Sequence, residues 1–374
     1  MVQPLKGLVV LEMAGLAPAP FAGMILSDFG ANVIRIDRTS SISTDVLVRN
    51  KRSIALNLKD SKAKQVFIKL CEKADILLDP FRPGVMETLG LGPEIILDRN
   101  PRLIYARLSG YGQSGSTAAG HDINYLATSG ILNVNDGKTR RESILSNELI
   151  RQVKTDFAGG GLMCVMGILM ALFERVKSQK GQVIDAGLTA GTAYIATFPF
   201  LMQKYGLVWN DERGKNMLDG GAHFYETYKT KDDRYMAVGA IEPEFYACLL
   251  DKLGFDKEEH MPRQHDKEDW PKMKQKLQDV FSTRTQDEWI AIFAGSDACV
   301  TPVLSFKDKT AAFPQPAPAL SRTPAKRATY SDQITFLQPG KHSIEILKEF
   351  GVSSKEIQQI LSSKALLDSN ASRL

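Results

Sequence analysis

Cysteine is scarce in this chain of 374 residues: four, at Cys71, Cys164, Cys248 and Cys299, far apart in sequence. No C-x-x-C pair and no His/Cys spacing occurs, which excludes a disulfide framework and a finger-type metal and points to free thiols in a reducing compartment. Net charge is slight as well. Forty-seven basic against 43 acidic residues leave +4, too little for nucleic acid, although basic groups gathered locally would suit a polyphosphate. The longest apolar run, Leu162 to Phe173, falls short of the ~20 residues that cross a bilayer. The N-terminus lacks the basic-then-apolar layout of a secretory signal. There is no internal repeat, and no G-x-G-x-x-G after the first strand, so the ordinary dinucleotide fingerprint is missing.

What is present is the composition of a soluble globular protein, 43% hydrophobic and 24% charged, in a chain long enough for two lobes. Leu8 to Met13 reads as a buried strand, Pro20 to Phe29 as a helix ended by Gly30, and Val33 to Asp37 as the next strand. Ser53–Leu58, Asp75–Phe81 and Leu103–Ser109 read as further strands, with an amphipathic helix at Ser61–Ala74. This alternation predicts an α/β, doubly wound, Rossmann-like large domain. Gly160 to Val176 is apolar nearly all round and predicts a central buried helix. Phe224–Thr230 and Arg234–Ala240 predict a hairpin, hence a smaller α+β domain, completed by helices at Trp270–Phe281 and Gln286–Phe293. The expected division is 1–185 for the large domain, 186–222 for a linker and 223–308 for the small domain. A Pro/Ala-rich linker follows over 309–338, then a helical return over 339–374, broken at Gly351.

Two runs carry chemistry. Gly120-His121-Asp122-Ile123-Asn124-Tyr125 sets a histidine after a glycine, at the opening of an apolar helix-like stretch. Asp156-Phe157-Ala158-Gly159-Gly160-Gly161 sets a carboxylate before three glycines, which leave backbone N–H groups uncovered and permit unusual dihedrals. A weak base and a weak acid offered to one substrate is what proton transfer at carbon needs. Alone, a histidine there could equally be structural and an aspartate a helix N-cap. Arg38 and Arg82 each follow an apolar strand, at the carboxyl end where α/β sheets bind ligands. The run Arg49, Lys51, Arg52 reads more blandly, as a solvated loop. Glu242, at the end of the second hairpin strand, is a carboxylate of the kind that orients a histidine, and Glu244 reads as merely exposed. Met163, Met166 and Met170 read as core filler, with a substrate-lining methionine wall as the alternative.

Other segments extend the pattern in order: Gly15-Leu16-Ala17-Pro18, Arg107-Leu108-Ser109-Gly110-Tyr111-Gly112-Gln113-Ser114-Gly115, Asn216-Met217-Leu218-Asp219-Gly220-Gly221, Gly239 to Tyr246 and Asp297 to Val303. With these the chain resembles the alpha-methylacyl-CoA racemases of the family III CoA-transferase superfamily, over nearly its whole length. The resemblance implies two bilobed chains interlocked as a homodimer, with the active site formed between lobes of different chains. It implies an isomerase of lipid metabolism, including bile acid synthesis, that epimerises 2-methyl-branched acyl-CoA thioesters through an enolate. His121 and Asp156 would then exchange acid and base roles, with Glu242 orienting His121. Arg38 and the backbone of Ala55, Leu56, Asn57 and Leu58 would hold the nucleotide end of CoA, with Lys59 and Arg82 as further CoA-binding residues. Gly120, His121, Asp122, Ile123, Asn124 and Tyr125 would hold the thioester end, with the Asp122 N–H as oxyanion donor.

No separate cofactor or metal is expected, CoA being part of the substrate. The ending Ser372-Arg373-Leu374 is close to the Ser-Lys-Leu peroxisomal address, implying an import receptor as partner. The resemblance also allows mitochondria as a second destination, yet Met1 to Lys6 has no arginine-rich amphipathic start. The charged approach to Asp156, from Asp136 to Lys154, departs from the usual apolar one, and Ala17-Pro18-Ala19-Pro20 replaces the usual Pro-Gly-Pro. Two other readings compete. A family III CoA-transferase would use Asp156 as a nucleophile, and generally lacks a histidine at the position of His121; a silent CoA-ester binder would need neither group.

Overall fold

The structure, a computed structural model, describes residues 2–40, 42–135, 153–308, 314–330 and 336–369. The tripeptide Ser372-Arg373-Leu374 and residues 136–152 of the charged approach lie outside the described residues. Among those described, ten strands form: β1 (Val9–Met13), β2 (Asn32–Asp37), β3 (Arg52–Leu56), β4 (Ile76–Asp79), β5 (Ile104–Ser109), β6 (Val183–Gly187), β7 (Tyr225–Lys229), β8 (Tyr235–Gly239), β9 (Val300–Pro302) and β10 (Leu366–Leu367).

The chain divides into two compact units. The first comprises Met1–Ser129, Arg151–Ile195 and Pro314–Leu374; the second, Gly130–Ile150 and Ala196–Phe313. The first is built on a seven-stranded sheet in the order β10-β3-β2-β1-β4-β5-β6. Strands β1 to β6 are all parallel and β10 closes the β3 edge antiparallel. This is the doubly wound order, with its switch between β1 and β4.

Side chains alternate across the sheet. Leu11, Ile34, Ile54, Leu77 and Tyr105 pack with Phe67 and Leu70 of helix Ser61–Glu72 and with Ile346 and Ile357 of helices Ser343–Glu349 and Ser354–Ser362. Val10, Val33, Ile76, Leu78 and Ile104 face the other way, onto Ala22 and Leu26 of helix Pro18–Asp28 and Cys164 and Ile168 of helix Met163–Ser178. Both faces are covered, which is why these strands read as predominantly apolar rather than as an apolar/polar alternation. Gly351 adopts φ +78° at the break between the last two helices.

The expectation of a wholly buried helix after Asp156 needs correction. A π-helical segment, Val153–Leu162, runs into helix Met163–Ser178. Cys164, Val165, Ile168 and Ala171 pack on the sheet, but Met166, Leu169, Met170, Phe173 and Val176 face outward, Met170 at 61% and Phe173 at 71% exposure. The sheet can cover only one side of an apolar cylinder, so the other side is left bare in one chain. Counted as one element, Val153–Ser178 is also long and apolar enough, by length and composition, to cross a membrane, contrary to what the run Leu162 to Phe173 suggests. Its sheet-packed face is that of a core helix.

The second unit has an antiparallel sheet, β7-β8-β9. Phe224, Tyr228 and Met236 pack there with Trp270, Leu277 and Phe281 of helix Trp270–Phe281 and with Trp289 of helix Gln286–Phe293. The indoles of Trp270 and Trp289 donate to Gln264 O and Phe281 O at 2.8 and 2.9 Å. Helix Pro243–Leu253 and the third strand β9 are additions to the expected hairpin.

Candidate active site

Where the strand order reverses, the loops leaving β1 and β4 part, and the space between them widens over the carboxyl ends of the strands. A cleft of about 290 Å³ opens there, lined entirely by the first unit. Leu16, Pro18 and Ala19 enter it from beyond β1, Pro80 and Arg82 from beyond β4, and Ser109 and Tyr111 from β5; His121, Tyr125 and Asp156 complete it. The placement is the one open α/β sheets dictate.

His121 precedes helix Asp122–Thr128 with extended backbone, φ −126° and ψ 178°. Its N–H donates to Asn124 Oδ1 at 3.1 Å, and its carbonyl accepts from Asn124 N and Tyr125 N. The Tyr125 hydroxyl donates to Gly120 O at 2.6 Å. A Cβ on Gly110 would lie 2.3 Å from the Tyr125 ring, and one on Gly120 2.7 Å from it. These glycines therefore let a phenol ring wedge beside the histidine's backbone. Tyr111 meets Tyr125 edge-on with centroids 5.0 Å apart. Thr189 N and Oγ1 both donate to Gly110 O at 3.0 Å. The imidazole is left exposed on a backbone clamped on both sides. The Asp122 N–H, first in its helix, has no intrahelical acceptor and stays available to an anion.

Asp156 lies inside the π-helical segment rather than at a helix N-cap. Such segments widen the helix by one residue per turn and recur at functional sites. The three glycines that follow do not bare their amides, as the sequence suggested. They are buried packing contacts. A Cβ on Gly159 would come within 2.2 Å of Thr192 Oγ1, and one on Gly161 within 2.8 Å of the Phe21 ring. Burial pushes the Tyr125 phenol up, and the nearby Tyr111 and Asp156 add to the rise while Arg82 opposes it. Base, carboxylate, phenol and guanidinium thus share one small volume.

The cleft gathers Arg82, Gly120, His121, Asp122, Tyr125 and Asp156 from the residues singled out by sequence. Ile123 and Asn124 are exposed beside it. Arg38, exposed, follows β2; Ala55 and Leu56 are buried in β3, and Asn57, Leu58 and Lys59 follow that strand. These occupy the same sheet edge, at its β2–β3 end, outside the cleft lining. Glu242 belongs to the second unit. It is the exposed N-cap of helix Pro243–Leu253, not the end of a strand; Pro243 in the first turn was the sign of that helix.

The run at Arg49–Arg52 is not a solvated loop. Arg49 pairs with Asp28 at 2.6 Å, Arg52 with Glu345 and Glu349, and Lys51 is wholly buried against Glu12. Met166 and Met170 are outward-facing, neither core nor cleft lining. Pro80, Ser109 and Tyr111 were assigned no role from sequence. Their signal was position, at the carboxyl end of an apolar strand or just past it.

The chain is similar to the alpha-methylacyl-CoA racemase of Mus musculus, 51% identical over 379 aligned positions, gaps included, that span 96% of this chain and 97% of that protein. The Homo sapiens protein of the same name is 50% identical over 386 such positions, 98% of each. A crystal structure of a CAIB/BAIF family protein from Brucella suis shares the fold, with a TM-score of 0.72 at 21% identity over 94% of this chain and 100% of that one. The model of CoA-transferase family III matches residues 5–317. Sequence kinship of this extent and a sheet of this topology place the chain in one group: it belongs to CoA-transferase family III.

Proposed function

We propose that this chain interconverts the two configurations of 2-methyl-branched acyl-CoA thioesters by moving the α-proton. The observation that carries the reading is His121 and Asp156 lining one cleft of about 290 Å³, in a chain half identical to proteins named alpha-methylacyl-CoA racemase.

A proton next to a thioester is weakly acidic, so its removal needs a base on one face, an acid on the other, and stabilisation of the enolate oxygen between them. His121 and Asp156 serve as the two groups, each acting as base for one configuration and as acid for the other. The Asp122 N–H serves the oxygen. Glu242, contributed from the other chain of the dimer, fixes the imidazole's tautomer. Arg38, Ala55 to Lys59 and Arg82 hold the phosphates and nucleotide, so the substrate lies along the carboxyl edge of the sheet with its thioester in the cleft. No other cofactor enters the scheme.

The active species is a homodimer. Its support is the bare apolar face formed by Met166, Leu169, Met170, Phe173 and Val176, a continuous patch of a kind that soluble monomers rarely expose. Ser372-Arg373-Leu374 directs the protein to peroxisomes by way of the import receptor.

Incubating each enantiomer of a 2-methylacyl-CoA in heavy water, with no acceptor acid, tests the reaction. The α-position takes up deuterium and the 2-methyl centre equilibrates between its two configurations; a transferase would need an acceptor acid and a mere binder would do neither. His121→Ala and Asp156→Asn lower inversion by about 10²–10⁴-fold while acyl-CoA binding remains. Inversion at the wild-type rate by either variant would refute the two-base assignment.

A further inference from the structure

Beneath the cleft wall lies a pair of charges that this chemistry does not use. Lys51 Nζ lies 3.0 and 2.7 Å from the two carboxylate oxygens of Glu12, on β1, and 2.8 Å from the Pro20 carbonyl. Both side chains are entirely shut off from solvent. Burial pushes the Glu12 carboxyl up, to about 7, against the pull of Lys51. A buried ion pair seldom stabilises a fold more than apolar residues of the same volume would, because desolvating both ions offsets their attraction. The pair therefore calls for a reason other than stability.

Its contacts supply one. Pro20 belongs to the first turn of helix Pro18–Asp28, and Glu12 Oε2 presses on Gly23 in the next turn, where a Cβ would come within 1.7 Å. Pro18 and Ala19 of the same turn line the cleft. Phe21 meets Phe157, the residue after Asp156, edge-on at 5.0 Å between centroids. A Cβ on Gly161 would lie 2.9 Å from the Pro18 carbonyl. The π-helical segment thus rests on a helical turn that Lys51 and Glu12 hold from below. His121 is held through Asn124, Tyr125 and Gly110, with Gly110 bonded in turn by Thr189; helix Leu188–Ile195, which carries Thr189, also packs on the π-helical segment at Gly159, but none of these contacts runs through Lys51, Glu12 or Pro20.

We propose that Lys51 is a positioning residue for Asp156, acting through Glu12 and the Pro20 carbonyl to fix the turn on which the π-helical segment is registered. The inference rests on the two-base reading above and makes a claim that reading alone does not. Loosening this anchor disturbs one of the two groups and spares the other. Inversion needs both, so it slows equally from either enantiomer. Exchange of the α-proton with solvent needs only the group on its own face, so it survives for the enantiomer that His121 serves.

The test uses the full-length wild type, Lys51→Met, and the double variant Glu12→Gln with Lys51→Met. The double variant leaves no unpaired buried ion and guards against a folding failure of the single one. Each enantiomer of a 2-methylacyl-CoA is followed in heavy water for deuterium uptake, for inversion and for KM. A misplacement of about 1 Å costs on the order of 10²-fold, so kcat for inversion should fall by roughly that factor with KM within about 2-fold. Uptake with retained configuration should persist for one enantiomer only. Equal loss of uptake from both enantiomers in either folded variant, or inversion at the wild-type rate, overturns the proposal. Absence of uptake by the wild type would overturn the racemase reading itself, and this inference with it.

Discussion

Acidification should weaken the second unit through a single side chain, His223. It is fully buried, its Nε2 lies 2.8 Å from the Tyr246 hydroxyl, and its Nδ1 has no hydrogen-bond partner among the described residues. Phe224 and Tyr246 stand edge-on to the ring at 5.2 and 5.4 Å. Burial is the main cause that lowers its pKa to about 4; Asp269 pulls it upward, and His260, Lys274 and His265 push it further down. In the unfolded chain a histidine titrates near 6.5.

Above pH 6.5 the ring is neutral in both states and pH has no effect through it. Between pH 6.5 and 4 the unfolded state binds a proton that the folded state refuses, so stability falls as pH falls. At about 1.4 kcal/mol per unit, pH 5 costs about 2 kcal/mol, and the loss levels off near 3 kcal/mol below pH 4. The three tryptophans, Trp209, Trp270 and Trp289, all lie in this unit, so urea unfolding followed by their fluorescence reports it. The loss of unfolding free energy between pH 7 and pH 5 should be about 2 kcal/mol smaller in His223→Phe than in the wild type. Equal losses in the two proteins would refute the assignment of the acid sensitivity to this ring.

Arg38→Ala should raise KM for acyl-CoA with turnover little changed, because a remote phosphate contact is alike in ground and transition states; a fall in kcat at constant KM would place Arg38 at the reacting carbon instead. Phe173→Glu sets a charge on the bare apolar face and should shift the active species toward half its mass in sedimentation, and an unchanged mass would remove that face from the interface. Deleting Ser372-Arg373-Leu374 should abolish peroxisomal delivery of a tagged chain, with unchanged localisation as the opposing result.

The first unit was legible because its strands are covered on both faces. Val33 to Asp37 and Leu103 to Ser109 read as mainly apolar runs, interrupted by Arg35 and Arg107, and the structure places β2 and β5 there within a residue. Helices Trp270–Phe281 and Gln286–Phe293 were legible because one face is apolar at helical spacing. The π-helical segment was not. A sequence signals a helix by period, and an extra residue per turn around Asp156 leaves no mark distinct from a loop that precedes a helix at Gly160. Helix Met163–Ser178 misled for a different reason: apolarity all round says that both sides are to be covered, without saying that one chain covers only one.

The glycines and the basic run exchanged roles between sequence and structure, and the exchange has one physical cause. Near a functional motif, a glycine triplet reads as exposed backbone and a cluster of cations as a phosphate site or a solvated loop. Here Gly159 and Gly161 are buried where Thr192 and Phe21 leave no room for a Cβ, while Lys51 is buried where Glu12 and Pro20 supply its contacts. Glycine inside a helix costs roughly 0.5–1 kcal/mol relative to alanine, and a buried ion carries a desolvation penalty of several kcal/mol. The glycines permit close approaches, of Gly161 to Phe21 and the Pro18 carbonyl and of Gly159 to Thr192, and the attraction and hydrogen bonds between Lys51, Glu12 and Pro20 offset part of the desolvation. Composition and spacing mark residues of unusual chemistry. Whether such a residue faces the substrate or the backbone that holds the substrate's partner is decided by packing across elements remote in sequence.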